Sequence, residues 1–170
     1  MKTTFKILAV LVAIVGFSAA SYGQSATATA STTIIAPLTI TKSTDMKFGD
    51  VAVGASSGGT VVLSPDGTRS ATGTVHFSPS NTGDISAATF NLAGVSGYTY
   101  TITLPGNTAV KVVKGSDEMT VTDFTSTPSG TGTLTGGVGT LNVGATLNVS
   151  PGQATGAYTS TTFTVTVAYN

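Results

Sequence analysis

The stretch YTSTTFTVTVAYN, residues 158–170, decides how this chain is read. Phe163, Val165, Val167 and Tyr169 alternate with Thr162, Thr164, Thr166 and Ala168. Successive side chains of a strand point to opposite faces, so a period of two predicts a strand with one apolar and one Thr-rich face. β-Branched and aromatic residues favour that conformation. Sheet edges are normally blunted by Lys, Pro or a bulge, and residues 163–170 carry neither Lys nor Pro. The strand therefore needs a cover. In the preferred reading it is central in its own sheet, with neighbours on both sides. In the other, a strand of another subunit pairs with it, and Phe163, Val165, Val167 and Tyr169 form an assembly strand.

The same pattern recurs upstream. ATATASTTII, residues 26–35, alternates Ala with Thr or Ser and gains aliphatic weight at Ile34, Ile35, Leu38 and Ile40. Pro37 marks an edge, a kink or a change of sheet, because it cannot donate to a ladder. Residues 46–54 read as a short strand with Phe48 and Val51 inward, interrupted at Gly49. Residues 58–77 read as a hairpin, with Val61 and Leu63 on one arm, Val75 and Phe77 on the other, and Ser64-Pro65-Asp66-Gly67 as the turn. Phe90 and Leu92 mark the next strand. Tyr98, Tyr100, Ile102 and Leu104 then share a face. A second hairpin pairs Val110 and Val112 with Met119 and Val121 across Gly115-Ser116-Asp117. GTLTGGVGTLNVGATLNVSPG, residues 132–152, reads as a Gly-punctuated pair of short strands, Leu141 and Val143 on one, Leu147 and Val149 on the other. Helical spacing is absent throughout. Short strands separated by turn signals predict an all-β, antiparallel β-sandwich of Ig-like, Greek-key or jelly-roll type.

The start of the chain reads as an export signal. Lys2 and Lys6 precede ILAVLVAIVGF, residues 7–17, an apolar run short for a membrane span but right for a signal core. Small residues then permit cleavage after Ala20 or, preferably, after Gly23. Residues 1–23 are thus a signal peptide and residues 24–170 a single β-sandwich domain. That domain of 147 residues is long enough to bury a core without disulfides, and the sequence has no Cys. The expected address is periplasm, outer surface or extracellular medium. No second apolar run predicts a span, so no transmembrane segment is expected after cleavage.

Charged residues make up 8% of the sequence, against roughly a quarter in ordinary domains. Without Lys2 and Lys6, five basic residues face seven acidic ones. That balance offers nucleic acid no basic patch.

Four segments carry a family likeness: KFGDVAVG, GYTYTITLP, GTLNVGATLNVSPGQATGAY and FTVTVAYN. Together they resemble a family of secreted bacterial proteins known as a domain of unknown function. The resemblance covers nearly the whole chain after the signal and implies fold and export, but no catalytic residues. More distantly, the chain is similar to subunits of chaperone–usher pili. Those subunits carry an alternating C-terminal strand with a penultimate Tyr, here Tyr169, and a Gly some way before it, here near Gly156. The alternating N-terminal segment is similar to a donor strand, although its Ala and Thr are small for filling pockets and the Cys pair many such subunits carry is missing.

Chemistry-bearing residues are sparse. Nucleophilic or general-base catalysis draws on His, Cys or a tuned carboxylate. The one His, His76, lies between inward-facing Val75 and Phe77 and is expected to face water. Asp45, Asp50, Asp66, Asp84, Asp117, Glu118 and Asp123 read as exposed turn and hairpin residues. Asp117, Glu118 and Asp123 could offer oxygen ligands to Ca²⁺, but exposed turn residues are the preferred reading and no metal or cofactor is expected. GTGTLTGGVG, residues 130–139, lacks the Lys and the helix of a phosphate cradle. Tyr98 and Tyr100 could form a stacking platform for a sugar, but Ile102 and Leu104 continue the same face and draw it into the core.

The expectation is a non-catalytic surface or structural module, pilin-like or adhesive, pairing strands with itself or with other surface subunits. The alternative is a carbohydrate-binding, lectin-like module that takes a glycan.

Overall fold

The computed structural model describes residues 22–170 apart from Asn81 and Ala109. The signal expectation, residues 1–23, lies outside the described residues except for Tyr22 and Gly23. The chain divides after Ile34, into Met1–Ile34 and Ile35–Asn170. In the first part, residues 22–34 are exposed and form neither helix nor strand. The alternation across residues 26–35 is therefore not a strand. Ala alternating with Thr offers too little carbon to bury against the entropy of ordering the backbone.

Within Ile35–Asn170 the described residues form fifteen strands and no helix. The pairing is antiparallel throughout, and the sheets curl toward a half-barrel, in keeping with the expected sandwich. In the large sheet, β1 (Thr39–Thr44) pairs with β8 (Ala88–Ala93), and β8 pairs with β13 (Val138–Val149). Next come β11 (Asp117–Thr127), β10 (Val110–Lys114) and β14 (Thr159–Ser160). A branch, β4 (Gly59–Leu63) with β5 (Arg69–Ala71), joins the far half of β13. The smaller sheet places β9 (Thr99–Thr103) between β12 (Thr131–Thr133) and β15 (Thr166–Tyr169). Two ribbons complete the set: β2 (Lys47–Phe48) with β7 (Ile85–Ser86), and β3 (Ala52–Val53) with β6 (Val75–His76).

β13 is the organising strand, and it corrects the expectation of two short strands in residues 132–152. It runs unbroken for 12 residues. On one side β8 and then β4 pair with it in succession, and on the other side β11 pairs with it. Gly144, which reads as punctuation in the sequence, is instead a point of close approach. A Cβ there would lie 2.2 Å from the carbonyl oxygen of Leu63, so Gly lets the end of β4 and its turn cross the strand.

The odd-numbered residues of β13 face inward and span two cores. Ala145, Leu147 and Val149 join Val61, Val75, Val110, Val112 and Val121 in one. Leu141 and Val143 join Ala88, Leu92, Tyr100, Ile102, Leu134 and Val165 in the other. Met46, Phe124 and Phe163 pack against both. Burying each Val or Leu contributes about 1.5–3 kcal/mol, so these two clusters supply the main drive for folding.

The hairpins follow the turn chemistry. Lys114 faces Asp117 across Gly115-Ser116, with Gly115 at a φ of 61°; Gly at the first position of a two-residue loop matches the strand twist. In the β4–β5 turn the Gly67 N–H donates to the Ser64 carbonyl at 2.9 Å, and the Asp66 carboxylate accepts from the Thr68 N–H at 2.9 Å. The partner of Val61 is Ala71, however, not Val75. The arm leaves the sheet at Gly73, where a Cβ would meet the Gly58 carbonyl at 2.4 Å, and Val75 pairs with Val53 in a separate ribbon.

A bulge rephases β11. The register against β13 shifts between Thr122 and Thr125. Asp123 sits there at a φ of 49°, with its N–H donating to the Asn107 side chain at 2.9 Å. The extra residue turns Phe124 and Ser126 inward after Met119 and Val121.

Candidate functional site

The terminal stretch is not one strand. Ser160 pairs with Val112 in the large sheet, and the Thr161 N–H still donates to the Lys111 carbonyl at 3.0 Å. Residues 161–165 then cross to the smaller sheet, where β15 pairs with β9. Switching sheets is how a strand makes the corner of a sandwich. Phe163 sits at that corner, its ring centre 5.4 Å from that of Phe124. Val165 is buried, and Val167 and Tyr169 pack against the second core. All four expected assembly residues thus point into their own fold. The central placement expected for this strand does not hold: β15 lies at the end of the order β12-β9-β15.

Tyr169 is a latch. Its hydroxyl accepts a hydrogen bond from the Val95 N–H at 2.7 Å and donates to the Ala36 carbonyl at 3.3 Å. Its ring meets that of Tyr98 edge-on, with centres 5.5 Å apart. Gly94 makes room, since a Cβ there would lie 2.2 Å from the Tyr169 hydroxyl. Asn170 closes the strand: its N–H donates to the Thr99 carbonyl at 3.2 Å and its amide to the Thr99 hydroxyl at 3.0 Å.

That last backbone bond sets the phase of the whole edge. In an antiparallel ladder, pairs that exchange hydrogen bonds alternate with pairs that do not. Asn170 bonds Thr99, so Ala168–Thr101 and Thr166–Thr103 are the bonded pairs within β15. The even residues of β9 turn the other way: the Ile102 N–H reaches the Gly130 carbonyl at 2.8 Å, and the Tyr98 carbonyl accepts from Leu134 at 3.0 Å. The N–H and C=O groups of Val167 and Tyr169 therefore point away from β9. Among the described residues no other strand pairs with them. The edge has no Lys, no Pro and no bulge. Beside the corner lies a cleft of about 160 Å³, floored by Met46, Phe90 and Phe163 and rimmed by Lys42, Asp45 and Thr162.

The remaining sequence candidates are dispersed. His76 is exposed on β6, opposite Ala52. Asp45 pairs with Lys42, Asp84 with Lys47 and Glu118 with Lys111, all at exposed positions. The Lys47 hydrogen bond and charge hold the Asp84 carboxyl below its ordinary value, and two hydrogen bonds from Thr68 do the same for Asp66. The Ca²⁺ set of Asp117, Glu118 and Asp123 is not gathered. Asp117 and Glu118 sit at the β10–β11 hairpin, whereas Asp123 is held at the bulge by Asn107. Among the described residues no three His, Cys, Asp or Glu side chains come together. Tyr98 and Tyr100 part company: Tyr100 is buried, and burial pushes its phenol up, while Tyr98 is half-exposed against Tyr169. Among the described residues no helix is long and apolar enough to cross a membrane.

The direction of the edge was not readable from side-chain alternation. The partners of the latch, Gly94, Val95 and Ala36, carry no sequence signal linking them to residue 169.

A family model described as Domain of unknown function (DUF4402) matches residues 38–169, and the chain belongs to that family. No curated protein and no solved structure matches the chain.

Proposed function

We propose that this DUF4402 protein is an exported, non-catalytic module of the bacterial cell surface that builds structure by pairing strands, as a fibre subunit or adhesive domain does. The observation that carries this reading is the outer edge of β15, where the backbone groups of Val167 and Tyr169 face outward on an edge without Lys, Pro or a bulge. Such an edge is a template for a strand from another chain. Its own side chains are committed to the core, so recognition runs through main-chain hydrogen bonds. The apolar run before the fold supports export, and the scattering of His76 and the carboxylates supports a structural role.

The test uses a Pro that spares the β15–β9 ladder. The Val167 N–H takes no part in the β15–β9 ladder, so Val167→Pro removes an outward donor from an edge strand, where Pro is tolerated. Wild-type protein is expected to form higher-mass species that grow with concentration on size exclusion and persist on an unboiled gel. Val167→Pro should return it to monomer while still melting as a folded domain, its midpoint lowered by the loss of part of the Val167 packing, and Val167→Ala, which loses that packing but keeps the N–H, should still assemble. Wild-type protein that stays monomeric at every concentration would overturn the reading, as would a Val167→Pro variant that assembles normally.

A further inference from the structure

The outer face of β1, β8 and β13 carries two Asn residues that its local structure does not explain. Asn is depleted in strands because its short amide competes for backbone hydrogen bonds. Three Asn nevertheless sit inside β8 and β13: Asn91, Asn142 and Asn148. Asn148 is accounted for, since its amide donates to the Thr120 carbonyl at 3.3 Å and to the Thr122 hydroxyl at 3.0 Å. Asn91 and Asn142 lie on the same outer face two residues apart in the register, and neither amide bonds the rest of the described chain. Local rules broken without compensation inside the fold point to function.

Their surroundings form an ordered array. Thr41, Asn91 and Thr140 stand opposite one another on three adjacent strands. The next rank holds Thr44, Thr89, Asn142 and Thr127 across four strands. On the preceding rank Val138, 62% exposed, stands beside Ala93 and adds an apolar patch. No charged residue belongs to these ranks. A shallow groove of about 350 Å³ runs between Thr39 and Thr41 on one side and Val138 and Thr140 on the other, with Asn91 in its floor.

We infer that this face binds a neutral polysaccharide. A row of amides and hydroxyls repeating every strand, about 4.8 Å apart, meets a chain that repeats its hydroxyls once per sugar. The exposed Val138 and Ala93 offer contact to the C–H face of a ring. The absence of charge suits an uncharged glycan and gives an anionic one nothing to pair with. The curl of the sheet disfavours a flat crystalline surface as the ligand. This site is separate from the β15 edge and does not depend on assembly there.

The experiment is retention of the purified protein on swollen, non-crystalline cellulose, xylan and mannan, with alginate as the acidic control. Wild-type protein should be retained on at least one neutral polymer, and 1 M salt should not release it. The Asn91→Val/Asn142→Thr variant replaces both amides by better strand formers, so its melting temperature should hold or rise while affinity falls by about tenfold or more. Thr140→Val removes one hydroxyl at constant shape and provides a second reading if the double variant folds poorly. Retention on none of the neutral polymers would overturn the inference. So would binding unchanged in every folded variant, or retention on alginate alone with release by salt. Val167→Pro should bind like wild type, which keeps this result independent of the assembly test.

Discussion

The Tyr169 hydroxyl accepts the Val95 N–H at 2.7 Å, 74 residues away in sequence. This bond ties the last strand to the β8–β9 connection, and the Ala36 carbonyl on the other side of the same hydroxyl ties in the segment before β1. Tyr169→Phe keeps the ring against Tyr98 and leaves the Val95 N–H without its acceptor in a part-buried position. An unmet buried donor costs about 1–3 kcal/mol. Urea unfolding should show the midpoint fall with the slope unchanged. An unchanged midpoint would mean that water replaces the hydroxyl without loss.

Gly144→Ala tests the crossing of β4 over β13. The added Cβ would meet a main-chain carbonyl that no rotamer change can move. A loss of about 2 kcal/mol or more is expected. Gly67→Ala is the matched control: its φ is 84° but nothing lies within 4 Å of the added Cβ, so its cost is backbone strain alone, about 1 kcal/mol. Equal losses in a thermal melt would count against the steric account.

Arg69 is the one Arg in the sequence. Its guanidinium donates to the carbonyls of Phe48, Asp50 and Thr82 and lies 3.9 Å from the centre of the Phe77 ring. A planar fork can serve three carbonyls and a ring face together; an ammonium cannot. Arg69→Lys should therefore lower stability by about 1–3 kcal/mol despite keeping the charge. Hydrogen exchange should report the loss first around residues 47–53 and 82–86. Protection there equal to wild type would show that charge, not geometry, holds these loops.

The pH dependence follows from Asp66, Asp84 and Lys47. The folded pKa values of both carboxyls lie below the ordinary 3.8, so their contribution is present above that value and is lost as pH falls through the lower, folded ones. Hydrogen bonding and attraction to Asp84 raise Lys47 above 10.5, so its contribution is present below 10.5 and lost as pH rises through the folded value. All three groups are exposed and their effects small. Melting temperature should change little through the neutral range and fall beyond both limits. A step inside the neutral range instead would count against this assignment.

The period-two pattern by itself determined that the described part of Ile35–Asn170 is built of strands without a helix, with Thr on the wet faces and Val, Leu and Ile inside. Alternation is local, and it survives in β9, β10 and β15 as read. Turn chemistry was equally local: Gly115-Ser116 and Ser64–Gly67 close the hairpins they announce. Which strand neighbours which was not local. Residues 138–149 contain three small residues, Gly139, Gly144 and Ala145, that interrupt their aliphatic pattern, yet β13 continues through Gly144 because β4, β8 and β11 supply its hydrogen bonds from distant parts of the chain. Residues 158–170 show no break at all, yet they divide between two sheets, because closing a sandwich requires a corner and Phe163 can fill both cores from that point. The outward edge of β15 was hidden for the same reason. Side-chain alternation says which residues face the core, but the direction of a backbone N–H is set by the partner strand, and only the bond from Asn170 to Thr99 decides it.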